Sequence, residues 1–204
     1  MALARLHYIN PATVPPLALL PSLLDAGLPA FQLRCKHLTD ADFERLARQA
    51  SDLCHGAGAQ FVVDDRVDIA VAAAADGVHL GADDLSVEGA RAVVREEMIV
   101  GATVRDPATA REREAHGATY LGVGPVFATT SKDGLPDPIG LDGLAAVCEA
   151  VTIPVLAIAG ITAARVPEVI AVGAHGVAVI GAIGHADDPV CALHELLDAV
   201  GAGA

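Results

Sequence analysis

The chain has no stretch of about 18 uninterrupted apolar residues, the length a membrane span requires. Even the run from Val67 to Ala75 contains Asp68 and is closed off by Asp65, Arg66 and Asp76, so no contact with a membrane is expected. The opening Met-Ala-Leu-Ala-Arg-Leu-His-Tyr lacks the charged head and long apolar stretch of a secretion signal, which predicts a cytoplasmic protein. Basic residues are few: 13 Lys and Arg stand against 26 Asp and Glu, a formal net charge of −13. That balance excludes a nucleic-acid face, which needs clustered cations to replace the counterions around phosphates. Cysteine is scarce as well, and Cys35, Cys54, Cys148 and Cys191 are irregularly spaced, with no C-x-x-C pair and no clustered histidines. Neither a zinc site nor a disulfide framework is indicated, and reduced thiols are expected. No linker or low-complexity segment divides the 204 residues, so one domain over residues 1–204 is predicted.

What is present is a rhythm. Short apolar runs, many of them β-branched, alternate with longer amphipathic stretches at intervals of about 25 residues. The strand candidates are 6–10, 30–34, 60–64, 77–80, 98–103, 119–123, 154–158 and 176–180. Helix candidates lie at 40–55, 87–95, 107–116, 141–150, 163–172 and 189–200, several of them opened by capping residues: Thr39, Ser86, Asp106 and Thr162. Strand-then-helix repetition predicts parallel pairing with right-handed crossovers. Eight such units in a chain of this length predict an α/β fold, a single (β/α)8 TIM barrel. A six-stranded open sheet is the alternative, but its nucleotide fingerprint, G-x-G-x-x-G opening the first helix, is missing.

In such a barrel the chemistry sits where the strands end. The second strand runs into Gln32-Leu-Arg-Cys-Lys36, and a period of two puts Gln32, Arg34 and Lys36 on one face. A basic pair there suits a diphosphate, or else a salt bridge at a strand end. The third and fourth strands deliver Asp64, Asp65 and Asp84, carboxylates that repel one another unless a cation compensates them. Magnesium suits that role beside a diphosphate, because it takes one or two protein carboxylates and bridges phosphate oxygens; helix N-capping is the alternative use of Asp65 and Asp84. Thr103 closes the fifth strand. The sixth empties into Gly122-Val-Gly-Pro-Val-Phe-Ala-Thr-Thr-Ser-Lys-Asp-Gly134, whose hydroxyls on Thr129, Thr130 and Ser131 and whose Lys132 charge suit a phosphate. Small residues after the seventh and eighth strands, Gly160 and Gly181 among them, leave backbone N–H groups open to an anion. No Ser-His-Asp or Cys-His arrangement is evident.

These residues, taken in order, carry a resemblance. The series Gln32-x-Arg34-x-Lys36, Asp65-Arg66-x-Asp68, Gly77-Val-His-Leu-Gly81 with Asp84, Gly122-x-Gly-Pro-x-Phe127, Thr129-x-Ser131-Lys132 and Ala157-Ile-x-Gly160-Ile161 resembles the thiamine-phosphate synthases. The resemblance implies a (β/α)8 transferase that joins 4-amino-2-methyl-5-hydroxymethylpyrimidine diphosphate to hydroxyethylthiazole phosphate and releases diphosphate. It assigns Gln32, Arg34, Lys36, Asp64, Thr103 and Lys132 to the pyrimidine diphosphate, and Asp65 and Asp84 to Mg2+. It assigns Thr129, Thr130, Ser131, Gly160, Ile180 and Gly181 to the thiazole phosphate. The implied partners are small phosphorylated substrates, and a homo-oligomer is compatible with the sequence.

The chain departs from the family pattern at Asp64, where asparagine is usual, and at Ala82, where glutamine is usual. Thr103, Ser131, Ala159 and Gly181 replace serine, threonine, glycine and serine. Thiazole tautomerases share the barrel but carry a Gly-His-Val-Phe segment in place of Gly124-Pro-Val-Phe127, and proline moves no proton. A catalytically silent sensor of thiazole or thiamine phosphate is the remaining alternative.

Overall fold

Parallel strands covered on both faces favour apolar residues, and most positions of the eight predicted segments are apolar. The computed structural model describes residues 2–130 and 134–202. Its strands are β1 (Leu6–Ile9), β2 (Ala30–Leu33), β3 (Gln60–Asp64), β4 (Gly77–Leu80), β5 (Ile99–Val104), β6 (Tyr120–Val123), β7 (Val155–Ile158) and β8 (Gly176–Val179). Each pairs in parallel with the next, and β8 closes on β1. The fold is a (β/α)8 barrel.

Around it run α1 (Leu20–Asp25), α2 (Asp40–Gly56), α3 (Val67–Ala72), α4 (Val87–Arg91), α5 (Pro107–Ala115), α6 (Gly140–Ala150), α7 (Val166–Ala171), α8 (Gly181–Gly184) and α9 (Pro189–Gly201). Among the described residues no helix is long and apolar enough to cross a membrane. Thr39, Ser86 and Asp106 cap α2, α4 and α5 by accepting backbone N–H bonds, as expected. Thr162 makes no such bond: the chain after it first winds a 3-10 turn over Ala163–Arg165 and only then enters α7, so the predicted helix 163–172 divides in two.

Register assigns the two faces of the sheet, because residues paired across parallel strands point the same way. Tyr8, Phe31 and Phe61 are register neighbours whose rings lie 5.9 and 6.3 Å apart in succession, and all are buried against the helix layer. Each such aromatic contributes a few kcal/mol by leaving water, on the order of 25 cal/mol per Å2 of apolar surface. The opposite set, His7, Gln32, Asp64, His79, Gly101 and Tyr120, faces into the barrel. Polar side chains therefore fill part of the interior.

Candidate active site

At the end of β1, the buried Asn10 makes a two-point clamp on the backbone of β2. Its Oδ1 accepts from the Arg34 N–H at 2.7 Å and its Nδ2 donates to the Arg34 carbonyl at 2.9 Å. This fixes the point from which Arg34 and Lys36 leave the strand. The Asn10 clamp was not foreseen from sequence; its signal was a lone amide closing the first strand.

The carboxylates gather next to this basic pair. Lys36 Nζ lies 3.2 Å from Asp65 Oδ2. The Asp65 backbone has φ 71°, the left-handed region that aspartate tolerates better than most side chains, and its N–H donates to the His79 carbonyl at 2.8 Å. Asp84 Oδ2 accepts from the Gly81 N–H at 2.7 Å, and Asp65 is its neighbouring carboxyl. Burial, opposed by the Gly81 N–H and reinforced by Asp65, raises the Asp84 pKa. Asp64 is 6% exposed, its Oδ1 has no hydrogen-bond partner, and burial followed by the charge of Asp65 pushes its pKa well above the usual range, against Arg34 and Lys36. Neither Asp65 nor Asp84 caps a helix: the residue before α3 is Arg66, and Ser86 caps α4. The capping alternative for both is thereby removed.

The far side of the mouth is a cavity of about 660 Å3. Thr103, Thr129, Thr130, Gly160, Ile180 and Gly181 all line it, together with Pro125 and Arg165. The described residues that the resemblance assigns to the thiazole phosphate thus share one chamber, at the ends of β6, β7 and β8, with Thr103 of the other set. Gln32, Arg34, Lys36, Asp64, Asp65 and Asp84 lie outside its lining, at the ends of β2, β3 and β4. Thr103 stands between the two groups, its Oγ1 2.9 Å from His79 Nε2. Ser131 and Lys132 lie outside the described residues.

The loops after β6 and β7 run side by side. Val126 N–H donates to the Ile158 carbonyl at 3.0 Å and Phe127 N–H to that of Ala159 at 3.1 Å. Ala159 and Gly160 take left-handed φ values of 76° and 67°, turning the chain sharply under the cavity. A Cβ on Gly160 would stand 2.7 Å from the Ala128 carbonyl oxygen, so only glycine fits that approach.

The sequence as a whole matches the model of one family, thiamine monophosphate synthase, over residues 9–183. The chain belongs to the thiamine monophosphate synthase family. It is 47% identical over 204 residues to the thiamine-phosphate synthase of Salinispora arenicola, covering 98% of each. To that of Haloarcula marismortui it is 45% identical over 183 residues, 88% of this chain and 87% of the relative. Among solved structures it superposes on thiamine phosphate pyrophosphorylase from Pyrococcus furiosus with a TM-score of 0.90 at 36% identity, covering 98% of this chain and 96% of that one. Its relatives in the synthase family are transferases, and this member spans nearly their whole length.

Whether the acidic pair of this synthase-family site suits a divalent cation follows from its donors. No group of three or more His, Cys, Asp or Glu side chains is set to hold a metal among the described residues. Two neighbouring hard oxygen donors, Asp65 and Asp84, repel one another unless a proton or a cation compensates them. That set fits Mg2+, which is content with one or two carboxylates when phosphate oxygens and water complete its shell.

Proposed function

We propose that this chain is a thiamine-phosphate synthase that couples 4-amino-2-methyl-5-hydroxymethylpyrimidine diphosphate to hydroxyethylthiazole phosphate and releases diphosphate. One observation carries the placement of the substrates: a basic and acidic cluster at the ends of β2 to β4 adjoins a hydroxyl-lined cavity at the ends of β6 to β8. The first suits a diphosphate with its cation, the second a phosphate monoester. We assign Gln32, Arg34, Lys36, Asp64, Thr103 and Lys132 to the former substrate, and Thr129, Thr130, Ser131, Gly160, Ile180 and Gly181 to the latter. Asp65 and Asp84 would hold Mg2+, which supplies positive charge to the departing diphosphate.

The carbon–oxygen bond to diphosphate breaks with its electron pair leaving on oxygen, and the thiazole nitrogen donates its lone pair to the exposed carbon. The aminopyrimidine ring stabilises the intervening cation, so no strong general base is needed. Arg34 and Lys36 neutralise the leaving group, and the hydroxyls of Thr129 and Thr130 hold the thiazole phosphate so that its nitrogen lies in line. Pro125, in the cavity lining at the place where the tautomerases carry their histidine, favours the synthase over that sister activity. We place the reaction in the cytoplasm, where the four thiols, all free among the described residues, stay reduced.

The test supplies both substrates with and without Mg2+ and follows thiamine phosphate and diphosphate. Stoichiometric, Mg2+-dependent appearance of both products is expected. Their absence, with isomerisation of the thiazole carboxylate phosphate or with binding alone, would replace this reading by a tautomerase or a sensor.

A further inference from the structure

His7 of β1, Gln32 of β2, His79 of β4 and Tyr120 of β6 meet inside the barrel, and hydrogen bonds run through them to Thr103 of β5. Gln32 Nε2 lies 2.8 Å from His7 Nδ1 and 3.2 Å from the Tyr120 hydroxyl. That hydroxyl is 2.8 Å from His79 Nδ1, and His79 Nε2 is 2.9 Å from Thr103 Oγ1. Two glycines make the room: a Cβ on Gly101 would overlap Cζ, Cε1 and the hydroxyl of Tyr120, and one on Gly122 would come within 2.9 Å of His79 Cε1. Gln32 Oε1 and His7 Nε2 are both buried without a partner. Burial, followed by the charge of His79, lowers the His7 pKa to about 3, so its ring is neutral and has one donor and one acceptor nitrogen.

Proton counting gives this chain a direction. The Gln32 amide has two N–H groups, one for His7 Nδ1 and one for the Tyr120 oxygen. Tyr120 then gives its own proton to His79 Nδ1, so a neutral His79 carries its proton on Nε2 and donates it to Thr103. Thr103 is left with an O–H to give to whatever occupies the cavity it lines. If the Gln32 amide is turned over, every bond reverses: the carbonyl accepts from His7 and Tyr120, and the Thr103 proton is consumed by His79. Gln32 and Thr103 therefore cannot choose their roles independently.

We propose that His7 and Tyr120 are positioning residues that, through this chain, make Gln32 present a carbonyl acceptor and Thr103 an O–H donor to the substrate. The ligand groups matched are an amine on a heteroaromatic ring at Gln32 and a phosphate oxygen at Thr103. The identity of that ligand rests on the synthase reading above; the order of the protons does not. A donor facing phosphate is required at Thr103, and this fixes the acceptor at Gln32, which discriminates against a ring bearing an oxo group in place of the amine.

Nitrogen-15 NMR of the histidine rings in the wild-type protein tests the order without any turnover. Both His7 and His79 are expected as the Nε2–H tautomer, the signals being assigned by their loss or shift in His7→Phe and Tyr120→Phe. Nδ1–H on either ring would overturn the proposal. The kinetic arm compares the aminopyrimidine diphosphate with its 4-oxo counterpart. In Tyr120→Phe and His7→Phe the ratio of their kcat/KM values should fall at least about tenfold, chiefly through KM. An unchanged ratio in either folded variant would overturn it, because a merely structural role lowers stability and leaves selectivity intact. If the wild type makes no thiamine phosphate, the synthase reading fails while the tautomer measurement still decides the chain.

Discussion

The guanidinium of Arg165 lies 4.3 Å above the centre of the Phe127 ring while its Nη1 donates to the Gly160 carbonyl at 2.7 Å. One side chain thus ties the loop after β6 to the loop after β7, the two that frame the cavity. Arg165→Ala removes the cation–π contact and a charge-assisted hydrogen bond, together about 1–3 kcal/mol. The thiazole phosphate KM should rise about tenfold or more with a smaller change in kcat; steady-state kinetics with each substrate varied in turn checks this.

Asp65 has a position that is demanding for its backbone and dispensable for the helices. Asp65→Asn tolerates the left-handed φ of 71° and removes only the charge. Loss of Mg2+-dependent kcat/KM by about 100-fold or more is expected, with the melting temperature held within a few degrees because Asp65 caps nothing. Collapse of the fold instead would make Asp65 a structural residue.

The pH dependence of stability should carry the mark of Asp64. Its native pKa is raised, chiefly by burial, so the folded protein keeps a proton that the unfolded chain has released. Stability therefore falls as pH rises above about 4 and goes on falling until the native pKa is passed, by at most about 1.4 kcal/mol per pH unit. Asp64→Asn abolishes this contribution. Urea unfolding in metal-free buffer at pH 5 and pH 8 should show a smaller loss in the variant than in the wild type; equal losses would contradict the assignment.

The loop after β7 gives opposite outcomes at adjacent positions. Ala159 sits at φ 76°, where a Cβ is strained, so Ala159→Gly should raise stability by about 0.5–1 kcal/mol. Gly160→Ala adds that strain and also drives a Cβ against the backbone of the β6 loop, at 2.7 Å from the Ala128 oxygen. It should lower stability and weaken binding of the thiazole phosphate; thermal melts and titration of the two variants distinguish them.

The strands were legible because burial on both faces writes a mostly apolar run, and every predicted strand overlaps an observed one. The longer helices were legible through their periodicity and caps. Hidden were α1, α3 and α8, of six, six and four residues, too short for an amphipathic period and without a side-chain cap. Thr103 stood out as a polar residue at a strand end, Thr129 and Thr130 as hydroxyls in a loop and Gly160 and Gly181 as small residues after strands, while Ile180 came from the resemblance alone; all six line one cavity. The Asn10 clamp and the inward roles of His7 and Tyr120 depend on which strands become neighbours, or face one another across the barrel. No local pattern carries that.

Gly101 and Tyr120 sit side by side in register on β5 and β6, and the ring occupies the space a Cβ on Gly101 would need. Neither position is free to drift alone. Alanine at 101 becomes tolerable only after the ring at 120 has been lost, and a ring restored at 120 first needs glycine back at 101. Across descendants of this sequence the two sites should change as a pair or stay as they are, a historical constraint written by the volume of one methyl group.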